Sequence, residues 1–419
     1  METNSHKTRE KRESQIREVV LLALCDSMSA TTASRIHLST KEWQHLLRWL
    51  DVSGLALYFL DHLVTMQRTD MLPSRILARL QQNLADNAAR TSGIFAEFKA
   101  INSAFQSAHL SYAVLKGFSL WPHSVPRPDL RSQLDLDFLI APESASVARQ
   151  ILEARGYHLR AISGHTWEFK VHEMPGRTLK TLYTDKLCRS IELHIEACPD
   201  ATGLLARSEM LSIHDICIPV LSPLDLFLGQ GSHLFKHIST GFFRAAHLIE
   251  FRRHVITRYR EGSFWSELQS VAQNNPTASM ELGMVTLLIT HTLGTFAPEA
   301  LTRWTVDRLP ARARLWVELY GREILLANFP GNKLYLLLQR ELAASGFSVE
   351  RSMRKSLLPL RFPPPVTHGQ ANETRWMRGR RYYEQLRFIL FRLRFHIVQG
   401  LRYFRESIRW RQYSEGLPS

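Results

Sequence analysis

From Thr40 to about residue 110 the apolar residues recur three and four apart, as in TKEWQHLLRWLDVSGLALYFLDHL and RILARLQQNLADNAARTSGIFAEFKAINSAFQSA. That is the spacing of helices with one buried face. Thr40, with Glu42 in the first turn and Trp43 three residues on, makes a helix start, and a helical region is expected over 1–110. The period then shortens. YAVLKG (112–117) and DLDFLI (135–140) read as strands, PESASVARQILEARG (142–156) as a helix, and YHLRAI, HTWEFKV, LKTLYTD and SIELHIE as further strand-like runs ending at Glu196. This alternation predicts an α+β fold, with a mixed β-sheet core over 111–220 and helical regions on both sides of it. Helical spacing returns from SPLDLFLGQGSHLFKHI through GFFRAAHLIEFRRHVITRY, ASMELGMVTLLITHTLGTF and NKLYLLLQRELAAS, predicting a helical domain over 221–348. RFPPPVTHG (361–369) is rich in helix breakers, and RGRRYYEQLRFILFRLRFHIVQGLRYFRESIRW beyond it is basic, aromatic and amphipathic, so 349–419 are expected to form a linker and a tail.

Composition adds bounds to this picture. A chain of 419 residues, 45% hydrophobic, can bury the cores of two or three domains. Its formal net charge of +14 suggests an anionic partner. The charge is concentrated, however: residues from Arg351 to the end hold fifteen Arg or Lys against four Glu. The basic signal therefore belongs to the tail. Four cysteines (Cys25, Cys188, Cys198, Cys217) form no CxxC pair and no zinc-ligand spacing, which fits a reducing compartment. The apolar run Val19 to Cys25 is too short for a signal peptide, and no run approaches the roughly 20 residues of a membrane span. The expected location is cytoplasmic, with peripheral membrane attachment as a variant.

Within DLDFLI, Asp135 and Asp137 occupy a run that is otherwise apolar. In a strand the two share a face while Leu136 points to the other. Adjacent carboxylates repel unless a cation lies between them, and hard oxygen ligands suit Mg²⁺. The plain alternative is a pair of solvated aspartates at a strand end. Upstream, Lys116 and Gly117 close a strand at the entry to a short helix: the glycine permits a tight turn close to a ligand, and the lysine adds a mobile positive charge. Downstream, Glu192 sits between Ile191 and Leu193, again an acid among apolar neighbours. Three carboxylates from two strands, facing a glycine turn, suit two-metal phosphoryl transfer, with the ions about 3.5–4 Å apart.

These residues resemble a known family. A strand, a glycine turn, a helix, an Asp-x-Asp strand and a later strand with a central acid are similar to the DNA polymerase β-like nucleotidyltransferase superfamily. LKG, the arginine of LRSQLDLDFLI, the following RGY, and IELHIE resemble its branch called uncharacterised nucleotidyltransferases, over roughly residues 40–260. The resemblance implies a nucleotidyltransferase fold and transfer of a nucleoside monophosphate from an NTP such as ATP to an acceptor hydroxyl. It implies Asp135, Asp137 and Glu192 as catalytic metal ligands for two Mg²⁺ ions, with Mn²⁺ as the alternative. Lys116, Gly117, Ser119 and Arg131 would bind the nucleotide. The superfamily's Gly-Ser turn is here Gly117-Phe118, so Ser119 or backbone N–H groups alone take the serine's place. Arg131 is read as a triphosphate contact or a surface arginine. His194, on the face of Glu192, is a core histidine, a partner orienting a ligand, or a base on the acceptor side. Arg244 matches a basic position of the family pattern and would face the nucleotide.

Other signatures fail. GQGSHLF lacks the third glycine of a dinucleotide loop, and neither a GxxxxGK[ST] loop nor a GxSxG elbow occurs. His233 and His237, one helical turn apart, lack an HExxH context and a third ligand. The tail over 370–419 suits an acidic membrane surface or an acidic partner protein, with nucleic acid less favoured, or simply packs on the body through its aromatics. The competing functional reading is a catalytically inactive nucleotidyltransferase-like scaffold that binds through this tail.

Overall fold

Ser39 caps the helix that begins at Thr40 in the predicted helical region. Its hydroxyl accepts the Glu42 N–H and the Glu42 carboxylate accepts the Ser39 N–H, a reciprocal cap that fixes the start at Thr40. The computed structural model describes residues 2–25, 38–133, 135–171, 179, 181–184, 190–197, 203–241, 243–273, 275, 277–344, 346–347, 356–357, 362–363, 365 and 373–417. They fall into two compact units, one holding those up to 231 and those of 244–273, the other those of 232–243 and from 275 on. Cys188, Cys198 and most of the 361–369 linker lie outside the described residues.

In the first unit, helices α1 (Glu2–Cys25), α2 (Thr40–Ser53), α3 (Ala56–Thr65) and α4 (Ser74–Ser107) precede the sheet. The sheet strands are β1 (Tyr112–Val114), β2 (Asp135–Ile140), β3 (His158–Ser163), β4 (Thr166–Lys170), β5 (Ser190–Ile195), β6 (Glu209–Ile213) and β7 (Ile216–Val220), with helix α5 (Ala145–Ala154) between β2 and β3. Among the described residues these form one mixed sheet in the order β3-β4-β5-β2-β1-β7-β6. β2 lies between antiparallel β1, which pairs Phe138 to Ile140, and parallel β5, which pairs all of Asp135 to Ile140.

One face of the sheet carries the core. Leu136, Phe138 and Ile140 of β2 and Ile191 and Leu193 of β5 pack with Phe98, Ile101 and Phe105 of α4 and with Ala148 and Leu152 of α5. The rings of Phe105 and Phe138 meet edge to face with centroids 5.4 Å apart. This is why DLDFLI alternates: its even positions are core and its odd positions belong to the other face. The β6–β7 hairpin has no counterpart among the expected strands. LKTLYTD is expected to be a strand, yet its described residues form turns, because the Tyr183 hydroxyl donates to buried Asp51 of α2 at 3.0 Å and ties the segment there.

Helices α6 (Pro223–Thr240), α7 (Ala245–Thr257) and α8 (Gly262–Ala272) follow, and then α9 (Ala278–Leu293), α10 (Ala311–Leu325), α11 (Tyr335–Ala344) and the long α12 (Arg375–Ser414). Within the second unit, Trp316 is fully buried and donates its indole N–H to the Leu334 carbonyl at 3.0 Å. Trp410 of α12 is equally buried, donates to Glu341 Oε1 at 2.8 Å and lies against Tyr320.

Candidate active site

Strand register decides which side chains meet. In the parallel β2–β5 pair, Asp135 lies opposite Ser190, Asp137 opposite Glu192 and Leu139 opposite His194. β4 then sets Glu168 opposite Glu192 and Thr166 opposite His194. Since alternate residues share a face, Asp135, Asp137, Glu192, His194, Glu168 and Thr166 all project from the side opposite the aromatic core.

One ligand atom each from Asp137, Glu192 and His194 lies within 4.8 Å of the others. His194 Nε2 is 3.2 Å from Asp137 Oδ1 and 3.5 Å from Glu192 Oε2. Its Nδ1 is 3.2 Å from Thr166 Oγ1, so both ring nitrogens are engaged and the imidazole is held in orientation. Lys116 Nζ donates to Asp137 Oδ1 at 3.4 Å. Among the described residues this is the group of three that could hold a metal ion. Its two carboxylates suit Mg²⁺ or Mn²⁺, and its imidazole is a ligand type for transition ions, so the donor set fits a divalent cation.

The electrostatics separate the two aspartates. Burial opposes the charged form of Asp137, but the His194 hydrogen bond and the Lys116 charge outweigh it and bring its carboxyl down to about 2. Asp135 goes the other way: burial and then the Asp137 charge raise its pKa against the pull of Arg131 and Lys116. Burial also opposes the charged imidazole of His194, yet its hydrogen bonds to Asp137 and Glu192 raise its pKa overall. The Lys116 ammonium and the hydrogen bonds of the His194 ring offset the mutual repulsion of these carboxylates.

Gly117 has φ +71°, and a Cβ there would meet Gln133 Nε2 at 2.4 Å. Gln133 in turn donates that amide to the Asp135 carbonyl at 2.9 Å, while Arg90 of α4 donates to the Gln133 carbonyl. The glycine turn and the start of β2 are thereby clasped by one side chain. Arg131 directs Nε to Glu250 Oε1 at 3.2 Å, and the Tyr58 hydroxyl donates to the same oxygen at 2.9 Å. Its charge still acts on Asp135 and Asp137. Ser119 is buried, and its hydroxyl has no hydrogen-bond partner among the described residues. Arg244 is the N-cap of α7, with its side chain beside Gly54 and its charge acting on Tyr183. His233 and His237 meet edge to face at 4.5 Å between ring centroids, with no third ligand residue grouped with them among the described residues.

Structure therefore brings Asp137, Glu192, His194 and Lys116 together, sets Asp135 and Gly117 beside them, and gives Arg131 an acidic partner of its own. Glu168, Thr166, Gln133, Arg90 and Glu250 had no part in the sequence reading. Glu168 alone carried a signal, an acid at the centre of the strand-like run HTWEFKV.

Residues 39–294 match the sequence model of a family described as uncharacterised nucleotidyltransferase. Among solved structures, one described as an antigenic nucleotidyltransferase-like protein from Paracoccidioides brasiliensis is similar at 12% identity, covering 49% of this chain and 94% of its own, with a TM-score of 0.28. No curated protein matches the sequence.

Proposed function

This chain belongs to the uncharacterised nucleotidyltransferase family, and from that premise we propose that it transfers a nucleoside monophosphate from an NTP to an acceptor hydroxyl, releasing pyrophosphate. The observation that carries this reading is the meeting of Asp137, Glu192 and His194 within 4.8 Å on one sheet face, with Lys116 3.4 Å from Asp137. Asp135, Asp137 and Glu192 would hold the divalent ions. Bound Mg²⁺ or Mn²⁺ would neutralise phosphate charge and lower the pKa of the acceptor hydroxyl.

The chain's own residues do the positioning. His194, anchored by Thr166, fixes the Asp137 carboxylate in one orientation. Lys116, one residue before the glycine turn, meets the negative charge of the triphosphate, and Gly117 lets the phosphates approach the backbone. As the acceptor oxygen bonds to the α-phosphorus, the bond to pyrophosphate breaks and the hydroxyl proton passes to Glu192. Glu192 suits that task because its side chain is 29% exposed where that of Asp137 is 3% exposed. Ser119, with its enclosed hydroxyl, and Arg131, held by Glu250, act by shaping the walls of the nucleotide site.

The test is transfer of labelled nucleotide from each NTP into a lysate of the source cell, with and without Mg²⁺, by wild type and by Glu192→Gln. Label transfer that needs both Mg²⁺ and Glu192 supports the reading. Transfer that survives Glu192→Gln removes that residue from the chemistry, and no transfer from any NTP favours the inactive scaffold.

A further inference from the structure

Helix α12 leaves much of its apolar surface uncovered. The residues that turn toward the protein are Gln385, Ile389, Arg392, His396 and Gln399, partly buried, and then Tyr403, Glu406, Trp410 and Ser414, buried. The opposite side carries an apolar stripe: Leu386, Leu390, Leu393, Ile397, Leu401 and Phe404 are each more than half exposed. Their spacing to Ile408 runs four, three, four and then repeats, so Leu386, Ile397 and Ile408 stand eleven apart and the stripe runs along one side of a nearly straight helix. The paired rows of a left-handed coiled coil are not complete: Leu390, Ile397 and Phe404 stand seven apart, but the companion row from Leu386 and Leu393 continues into Gly400 and Ser407.

Charge identifies the occupant. Over Arg375–Ser414 there are eleven Arg against two Glu, with no Lys and no Asp. Arg387 and Arg394, seven apart, flank the apolar stripe; both are exposed and neither has an ion pair among the described residues. Nearer the start of the helix, Trp376, Tyr382 and Tyr383 are at least 60% exposed, side chains with an apolar body and a polar tip that suit the level of lipid headgroups. Two such helices would repel each other, whereas an anionic surface attracts the arginines while accepting the leucines. Among the described residues no helix is long and apolar enough to cross a membrane, so the geometry is that of a helix lying in the surface.

We propose that α12 docks the protein on an anionic lipid bilayer through the stripe from Leu386 to Ile408, with Arg387 and Arg394 on the headgroups. This stands apart from the transfer reaction and is tested without it. The full chain is floated with phosphatidylcholine vesicles and with vesicles containing phosphatidylglycerol. Wild type is expected to float with the anionic vesicles alone, and less so as NaCl is raised. Arg387→Gln with Arg394→Gln should weaken that partition about 30-fold. Leu390→Ser with Ile397→Ser should abolish it, with the melting curve unchanged in both variants because all four side chains are exposed. Wild type that stays with the solvent overturns the proposal. So does binding that survives the serine pair, as nucleic acid or an acidic protein held by arginines alone would give. A dimer in light scattering that the serine pair dissociates, with no vesicle binding, would instead make a second copy of the chain the occupant.

Discussion

Gly117→Ala probes the junction of the glycine turn and the acidic strand. The residue has φ +71°, where an alanine pays about 1–2 kcal/mol for its Cβ. The new Cβ would stand 2.4 Å from Gln133 Nε2, so that amide must swing away from the Asp135 carbonyl it now reaches at 2.9 Å. Losing that bond inside the protein adds about 1 kcal/mol. Reduced freedom of the unfolded chain returns roughly 0.5–1 kcal/mol. The net expectation is a loss of about 2 kcal/mol, read as a lower urea midpoint at unchanged slope. Gln133→Ala removes the clashing amide and its bond together, so in that background Gly117→Ala should cost the φ penalty alone, and the double variant should cost less than the sum of the two single changes. Gly117→Ala within about 0.5 kcal/mol of wild type, or strict additivity with Gln133→Ala, would refute the clasp as described.

Three further outcomes concern other contacts. Arg131→Ala leaves Glu250, 2% exposed, without its cation and should cost about 3–5 kcal/mol, part of it recovered by adding Glu250→Gln; urea unfolding of the set checks the order. Trp410→Ala should destabilise by about 3–5 kcal/mol, since that side chain is fully buried against Tyr320, and Trp410→Phe should fall between because it restores packing without the bond to Glu341. Glu42→Gln should cost about 0.3–1 kcal/mol by removing the charge that meets Arg12 and the helix N-terminus, while the amide oxygen can still accept the Ser39 N–H. Hydrogen bonds from Arg12 and from the Ser39 backbone and hydroxyl bring the Glu42 carboxyl from 4.5 down to about 2. A depressed carboxyl stabilises above its unfolded pKa and loses that contribution as pH falls through its folded one. The difference between wild type and variant should therefore be full above pH 4.5 and gone by pH 2, as paired melts across that range would record.

What the chain discloses before folding depends on how local the cause is. DLDFLI was legible because strand parity alone puts Asp135 and Asp137 on one face and Leu136 on the other, and SIELHIE repeats that pattern around Glu192. Their meeting was not local: it needs β2 and β5 to pair with Asp137 opposite Glu192, across more than fifty residues. Gln133, Arg90 and Glu250 were silent for the same reason, since nothing near them in sequence announces the groups they hold. The β6–β7 hairpin escaped because Met210 is 61% exposed and Pro219 interrupts the run, blurring the alternation that marks a strand. In the tail the amphipathic period was plain, but periodicity does not say which side of a helix the protein covers. Here it covers the side of Gln399 and Glu406 and leaves Leu390 and Ile397 outside.

The central claim, that this acidic cluster serves a metal-dependent nucleotidyltransferase, is tested most directly by calorimetric titration of NTPs into the protein with Mg²⁺ or with EDTA. Wild type should bind a nucleotide in Mg²⁺ and lose that affinity in EDTA. Asp137→Asn should fail to bind in either while still unfolding cooperatively, because an amide is a poor ligand for a hard divalent ion. Nucleotide binding by folded Asp137→Asn equal to wild type, or wild-type binding indifferent to EDTA, would contradict the account.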